Sequence, residues 1–362
     1  MDLAGRLQCV NIDGELSDTM ESDVGVPQGS ILGGLLYVLL VGDLPEVVHD
    51  HDAQDQDNQC VFNMHCRDCG GLTAFVDDST YQTSAPNPEE LSEKLSKEYT
   101  KLADYMGDTG LVINSEKTHL IVMGADKNRK KRENVKVETG IITITPVASE
   151  KLLGLNIHES LKFSEHCRDN KNSLFKKIIP RMNALKKLSR NATFKTRLMV
   201  ANATIMSTIV YMMPVWGGTE DYIIKAAQVI QNRAARLVTK LSWFTPQRIL
   251  LNQTNWLSIR QLIAYHTILQ IWRAKKNKAP KYIFNNINRK PNYRTRSVAA
   301  GVSDAEGYIH IPCTQKATTK KGIMMRGPTV WNTLPMELRT HQGSLQMFNK
   351  ELKLWIKNNL KP

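Results

Sequence analysis

The sequence predicts an α+β fold, and three observations carry that assignment. Short apolar runs separated by turn formers fill the chain before about residue 160, with one amphipathic stretch among them. Past Leu161 the apolar residues recur every three or four positions, the period of helices. The charge also changes sign along the chain. Residues 1–123 hold 6 Lys+Arg against 22 Asp+Glu, a net of −16, and residues 124–362 hold 42 against 13, a net of +29. The average of +13 describes neither part. Such asymmetry points to an acidic region followed by one that meets a polyanion, most commonly nucleic acid.

The β-rich part is read first. Residues 5–24 alternate weakly through Leu7, Cys9 and Ile12 and turn at Asp13-Gly14, as a hairpin does. Next comes the breaker cluster GVPQGS, with Ser30 placed to cap the apolar run Ile31–Val41 as a helix. Residues 50–57, acidic and Gln-rich, read as an exposed loop. LTAFV (Leu72–Val76) is a short strand leading into Asp77-Asp78, and a second strand runs through Tyr81. Over 88–107, Leu91, Leu95, Tyr99, Leu102 and Met106 share one face, so an amphipathic helix is expected. LVIN and HLIVMG are expected strands around the polar turn Ser115–Thr118. KNRKKR (Lys127–Arg132), readable as a hairpin tip or a nuclear-import patch, separates them from the β-rich VKVETGIITITPV.

The helical part follows. Leu174, Ile178, Met182 and Leu185 form one stripe; further helices are expected at about 194–213, 219–240 and 257–275. The chain ends in a short amphipathic helix through Phe348, Leu352 and Trp355. Trp256 and Trp272 are expected in the core, although 246–275 also reads as a helix-turn-helix. Ile31–Val41 is about half the ~20 apolar residues that a membrane span needs. MDLAGRLQ has no signal-peptide layout, and six irregularly placed cysteines make no disulfide framework. An intracellular protein of the nucleus or cytoplasm is therefore expected, with no membrane partner.

Two patterns carry candidate metal chemistry. Adjacent like charges at Asp77-Asp78 repel, and folding gains nothing from them without a cation. Oxygen donors suit Mg²⁺, and two such ions about 3.5–4 Å apart clamp an in-line phosphoryl transfer. Asp is also a favoured turn residue, so a plain hairpin turn is the alternative. Cys60, His65, Cys66 and Cys69 include a zinc-knuckle spacing. His65 and Cys66 are adjacent, however, and no second pair completes a tetrahedral site, so zinc at Cys60, Cys66 and Cys69 is not expected.

The order GVPQGSILGGLL, AFVDDST, a helix, GLVINSEKTHLIVMG and KLLGLNI resembles the reverse transcriptases of non-LTR (LINE-type) retrotransposons. These segments are similar to the family's motifs B, C, D and E. QNRAARLVT and GPTVWNTLP resemble its C-terminal regions. The resemblance implies a partial right-hand polymerase palm over 1–160, a helical thumb over 161–288 and a C-terminal region of retrotransposon type over 289–362. It also implies roles. Asp77 is the metal-binding aspartate, and Asp78 supports the site. Pro27, Gln28, Gly29 and Ser30, with Phe75, lie against template and incoming nucleotide, and Lys117 reaches the nucleotide phosphates. Leu153-Gly154 grips the primer. Thumb contacts to the nucleic-acid backbone fall to Lys176, Lys177, Arg181, Lys186, Lys187, Arg190, Lys195 and Arg197. Val76, Gly34 and Gly42 are mild departures from the pattern.

The implied activity is RNA-directed DNA polymerisation, with Mg²⁺, deoxynucleotide triphosphates, an RNA template and a DNA primer or target. The family's motif A, a strand carrying another metal-binding aspartate, would precede the first hairpin. No segment ahead of that hairpin resembles it, and Asp2, Asp13 and Asp18 do not sit in such a strand. The expectation is that these residues alone do not polymerise. The rival reading is a non-enzymatic remnant that binds nucleic acid through its basic half.

Overall fold

A computed structural model describes residues 6–22, 31–44, 47, 71–124, 129–139, 142–280, 283, 285, 287, 307–311 and 320–361. The chain forms two units, 1–120 with 130–146 and 121–129 with 147–362.

In the first unit, β1 (Arg6–Gln8) pairs antiparallel with β4 (Met20–Ser22), and β2 (Asn11–Ile12) with β3 (Glu15–Leu16). The reversal falls at Asp13 and Gly14, whose φ values of 53° and 95° are the left-handed pair that a tight hairpin turn requires. Asn11 Oδ1 accepts the Gly14 N–H at 3.0 Å and holds the turn. The apolar run becomes α1 (Gly33–Leu40). Its cap position is Leu32, already helical in φ and ψ and without a side-chain cap bond; Ser30, the expected cap, lies outside the described residues. No residue of α1 is buried.

β5 (Gly71–Phe75) and β6 (Asp78–Gln82) form the next antiparallel hairpin. α2 (Pro88–Asp108) follows, with Pro88 at its first position and Asn87 Oδ1 accepting the Glu90 N–H at 2.8 Å. Glu89 and Glu90 lie in the first turn, where the helix dipole favours negative charge. Two α2 serines accept bonds from the segment around β7 (Val137–Glu138). Ser92 Oγ takes the Lys136 N–H at 3.1 Å, and Ser96 Oγ takes the Glu138 N–H at 2.9 Å. β8 (Thr143–Ile144) pairs with β7.

LVIN and HLIVMG do not form the expected strands. Residues 115–117 make a single 3₁₀ turn, and one isolated bridge joins Leu120 to Pro146. Among the described residues neither segment joins a partner strand, and apolar alternation without a ladder does not make a sheet. Arg129–Arg132 is a helical turn (α3) rather than a hairpin tip, and Arg132 is buried.

The second unit opens with β9 (Ser149–Leu152) paired to β10 (Leu155–His158). This hairpin packs with the helices, because Leu155 belongs to their core. The helices are α4 (Leu174–Leu188), α5 (Phe194–Ala201), α6 (Ser207–Val210), α7 (Met213–Trp216), α8 (Asp221–Thr239), α9 (Gln247–Thr254), α10 (Ile259–Lys275), α11 (Ile323–Trp331), α12 (Met336–Arg339) and α13 (Leu345–Asn359). A π turn at Asn202–Met206 joins α5 to α6, so the expected helix over 194–213 is nearly continuous to Val210. Ser258 and Gln261 form a reciprocal capping box that starts α10.

The stripe Leu174, Ile178 and Leu185 is buried against Ile205, Ile209, Trp216 and Ile223. A second cluster gathers Trp272, Trp331, Phe348, Leu352 and Ile356, with the Trp272 and Phe348 rings stacked at 5.1 Å. Trp256 and Trp272 are both buried, as their expected core role requires. The stretch 246–275 forms two helices, α9 and α10, joined by the short turn 255–258, and Arg260 is the one exposed residue of α10. The described residues carry helices and five two-stranded antiparallel sheets, an α+β composition.

Candidate functional site

The Asp77-Asp78 pair sits where β5 turns into β6. Phe75 pairs with Asp78, which leaves Val76 and Asp77 as a two-residue loop. Val76 has φ 57°, a left-handed value that costs a β-branched residue about 1–3 kcal/mol. Phe75, Val76, Asp77 and Asp78 are all exposed. Tyr37 on α1 has its phenol pKa raised by burial and, secondarily, by the Asp77 charge, so α1 stands close to the turn.

Two carboxylates at one tip suit a single Mg²⁺, which takes one or two protein carboxylates and completes its shell from water or phosphate. Among the described residues, no group of three His, Cys, Asp or Glu side chains could hold a metal. A second clamped ion would need another carboxylate.

Lys117 ends the 3₁₀ turn, where the Asn114 side chain accepts its backbone N–H at 3.2 Å and its own side chain is exposed. Pro27, Gln28, Gly29 and Ser30 lie outside the described residues, as do Cys60, His65, Cys66 and Cys69.

Leu153 and Gly154 form the two-residue turn between β9 and β10, with φ values of 46° and 85°. Tyr211 braces this turn by donating its hydroxyl to the Leu153 carbonyl at 2.5 Å. A Cβ on Gly154 would lie 3.3 Å from the Tyr211 ring. Nothing in the sequence signals this contact, because the partners are 58 residues apart.

The basic residues of the second unit divide into free and committed groups. Between residues 170 and 303 stand 24 Lys+Arg and only two acids, Glu220 and Asp221. Both acids are occupied: Asp221 pairs with Arg260 at 2.5 Å and Glu220 with Lys321 at 3.5 Å. Lys176, Lys177, Lys186, Lys187, Arg190 and Lys195 are exposed. Arg181 is exposed but donates to the Thr204 carbonyl at 2.9 Å and to the Thr208 hydroxyl.

Arg197 corrects the sequence expectation. It is only 6% exposed, and it donates to the Val238 carbonyl at 2.7 Å and the Ala192 carbonyl at 2.6 Å. Its guanidinium holds two helix ends together and is not free for a phosphate. Sequence reading also passed over Trp243 and Phe244, exposed in the α8–α9 loop; adjacent aromatics between polar residues were the available signal.

Among the described residues, no helix is long and apolar enough to cross a membrane. No family model matches the chain, and no solved structure matches it. Curated relatives do. The chain is 25% identical over 242 residues to a probable RNA-directed DNA polymerase from transposon X-element of Drosophila melanogaster, covering 67% of this chain and 24% of that protein. It is 24% identical over 245 residues to a probable RNA-directed DNA polymerase from transposon BS of the same species, covering 67% and 25%. With the RNA-directed DNA polymerase from mobile element jockey of Drosophila funebris, identity is 21% over 244 residues, covering 67% and 25%. The chain therefore spans about a quarter of the length of these relatives. Over two thirds of its length, this chain is a distant sequence relative of the RNA-directed DNA polymerases of non-LTR (LINE-type) retrotransposons.

Proposed function

We propose that the chain is a reverse-transcriptase-type protein that binds nucleic acid through its helical, basic unit. Its β5–β6 tip supplies carboxylates of a polymerase metal site. The carrying observation is the charge distribution over 170–303, where 24 cations face two acids that are both spent in ion pairs. Phosphate neutralisation by such cations is the largest sequence-independent source of nucleic-acid affinity. In this reading the first unit corresponds to part of a palm and the helices from α4 onward to a thumb and C-terminal region. The substrates are an RNA template, a DNA primer or target and deoxynucleotide triphosphates.

Asp77 and Asp78 would hold Mg²⁺, which supplies charge neutralisation at the transferring phosphoryl group. Lys117 and the Leu153-Gly154 turn keep the nucleotide-phosphate and primer roles that the resemblance implies. Because one aspartate pair does not bridge two ions, the 362 residues by themselves bind nucleic acid without extending a primer. A primer-extension assay with Mg²⁺ on the purified chain tests this. No incorporation is expected. Mg²⁺-dependent incorporation that Asp77→Ala abolishes would refute the incomplete-site reading and establish a polymerase.

A further inference from the structure

We infer that the meeting point of the turn before α5 and the loop between α8 and α9 is a binding site for unpaired nucleotides. Trp243 and Phe244 stack on bases there, and the neighbouring cations hold phosphates. The inference deepens the nucleic-acid reading above and rests on it.

Arg197 establishes that the two segments meet. Its Nε donates to the Val238 carbonyl in the last turn of α8, and its guanidinium NH1 donates to the Ala192 carbonyl just ahead of α5. Each of the two chain reversals carries exposed aromatic and basic side chains. On the first are Phe194, 41% exposed, and Lys195. The second presents Lys240, Trp243 at 63% exposure and Phe244 at 91%, with Arg248 following on α9. No acidic residue occurs between 222 and 303, so no carboxylate of that stretch offsets these cations.

The loop is built rather than slack. Lys240 ends α8 in the left-handed conformation with φ 59°. Thr245 donates its N–H to the Ser242 carbonyl at 3.1 Å, and Phe244 donates its N–H to Ser242 Oγ at 3.4 Å. Arg236 lies over the Trp243 ring, 4.8 Å from its centroid, and donates to the Thr245 carbonyl at 3.3 Å. The indole is thus oriented before any ligand arrives, which lowers the ordering cost of binding. Neither Trp243 nor Phe244 belongs to a core cluster.

A ligand for this surface must be anionic and must offer flat faces to two aromatic rings. Single-stranded nucleic acid satisfies both, because every base has a π-face and every linkage a phosphate. Duplex DNA is anionic but offers no free base faces, since they are stacked on one another, so it meets only the first condition.

Fluorescence anisotropy on the full chain separates the cases, using a labelled thymidine oligomer of about 20 nucleotides and a blunt duplex of equal length. The double variant Trp243→Ala/Phe244→Ala should weaken oligomer binding by about tenfold or more and change duplex binding by less than about twofold. Trp243→Phe/Phe244→Tyr should retain oligomer binding, and circular dichroism should show all three proteins equally folded. Unchanged oligomer affinity in the alanine variant overturns the inference and leaves the nucleic-acid reading standing. So does an equal loss on both probes. Self-association of the wild-type chain that the alanine variant abolishes, with oligomer binding intact, makes the aromatic pair a protein interface and also overturns it. A wild-type chain that binds neither probe removes the nucleic-acid reading itself and this site with it.

Discussion

Lys176 and Lys187 lie eleven residues apart on α4, three turns along one exposed line and about 16 Å apart along the helix axis. They belong to a set of six exposed cations, with Lys177, Lys186, Arg190 and Lys195, that have no ion-pair partner among the described residues. Six phosphate contacts give a slope of log affinity on log salt of about −5.4 for duplex DNA. Raising salt from about 50 to 200 mM then costs about 2,000-fold in affinity. The variant Lys176→Ala/Lys187→Ala should reduce the slope to about −3.6 and the same salt change to about 150-fold. Titrating a labelled duplex at four or five salt concentrations reads the slope directly.

Arg197→Ala is the contrasting variant. It should leave the slope unchanged and lower stability by about 2–4 kcal/mol, because the Val238 and Ala192 carbonyls lose charged donors. A slope for Lys176→Ala/Lys187→Ala equal to that of the wild-type chain would refute the phosphate assignment. A shallower slope in Arg197→Ala with no change in thermal midpoint would refute the structural one.

Two further predictions concern stability. Gly154→Ala places a Cβ in the left-handed region against the Tyr211 ring and should cost about 1–2 kcal/mol, read as a lower urea midpoint; Tyr211→Phe should cost about 0.5–1.5 kcal/mol by removing the hydroxyl bond to Leu153. His166 is buried, and its Nδ1 accepts the Asn156 N–H at 3.3 Å. Burial, assisted by the Lys177 charge, lowers its pKa from 6.5 to about 4. The unfolded chain therefore takes up this proton at a higher pH than the folded one. The stability it contributes is complete above about pH 6.5 and is lost as pH falls toward 4, by up to roughly 3 kcal/mol. His166→Asn keeps an acceptor near that position and should flatten this step in urea midpoints measured across the window; an unchanged step would assign the pH dependence elsewhere.

Elements set by neighbouring residues were legible in the sequence. Asp13-Gly14 specified its turn because both positions must take positive φ, and the face Leu91, Leu95, Tyr99, Leu102 and Met106 specified α2. The apolar stripe Leu174, Ile178 and Leu185 gave α4 and its buried face. LVIN and HLIVMG misled because strand formation depends on a partner that alternation alone does not supply. The Asp77-Asp78 tip was legible as a hairpin turn with clustered charge, whereas the left-handed strain at Val76 and the neighbouring Tyr37 emerged only from the folded arrangement.

The same division runs through the basic unit. By itself the sequence determined the helical periodicity, the −16 and +29 halves and the likeness to retrotransposon polymerases, since each is written in residue order. Only the tertiary structure decided which cations are available. Lys195 and Arg197 are two residues apart and equally basic, but Lys195 faces solvent while Arg197 is locked between carbonyls of Ala192 and Val238. One of those carbonyls lies 41 residues away along the chain, and packing alone brought it there. Burial and hydrogen-bond partners come from distant segments, so a charge counted in the sequence becomes a usable charge only when the fold leaves it uncommitted.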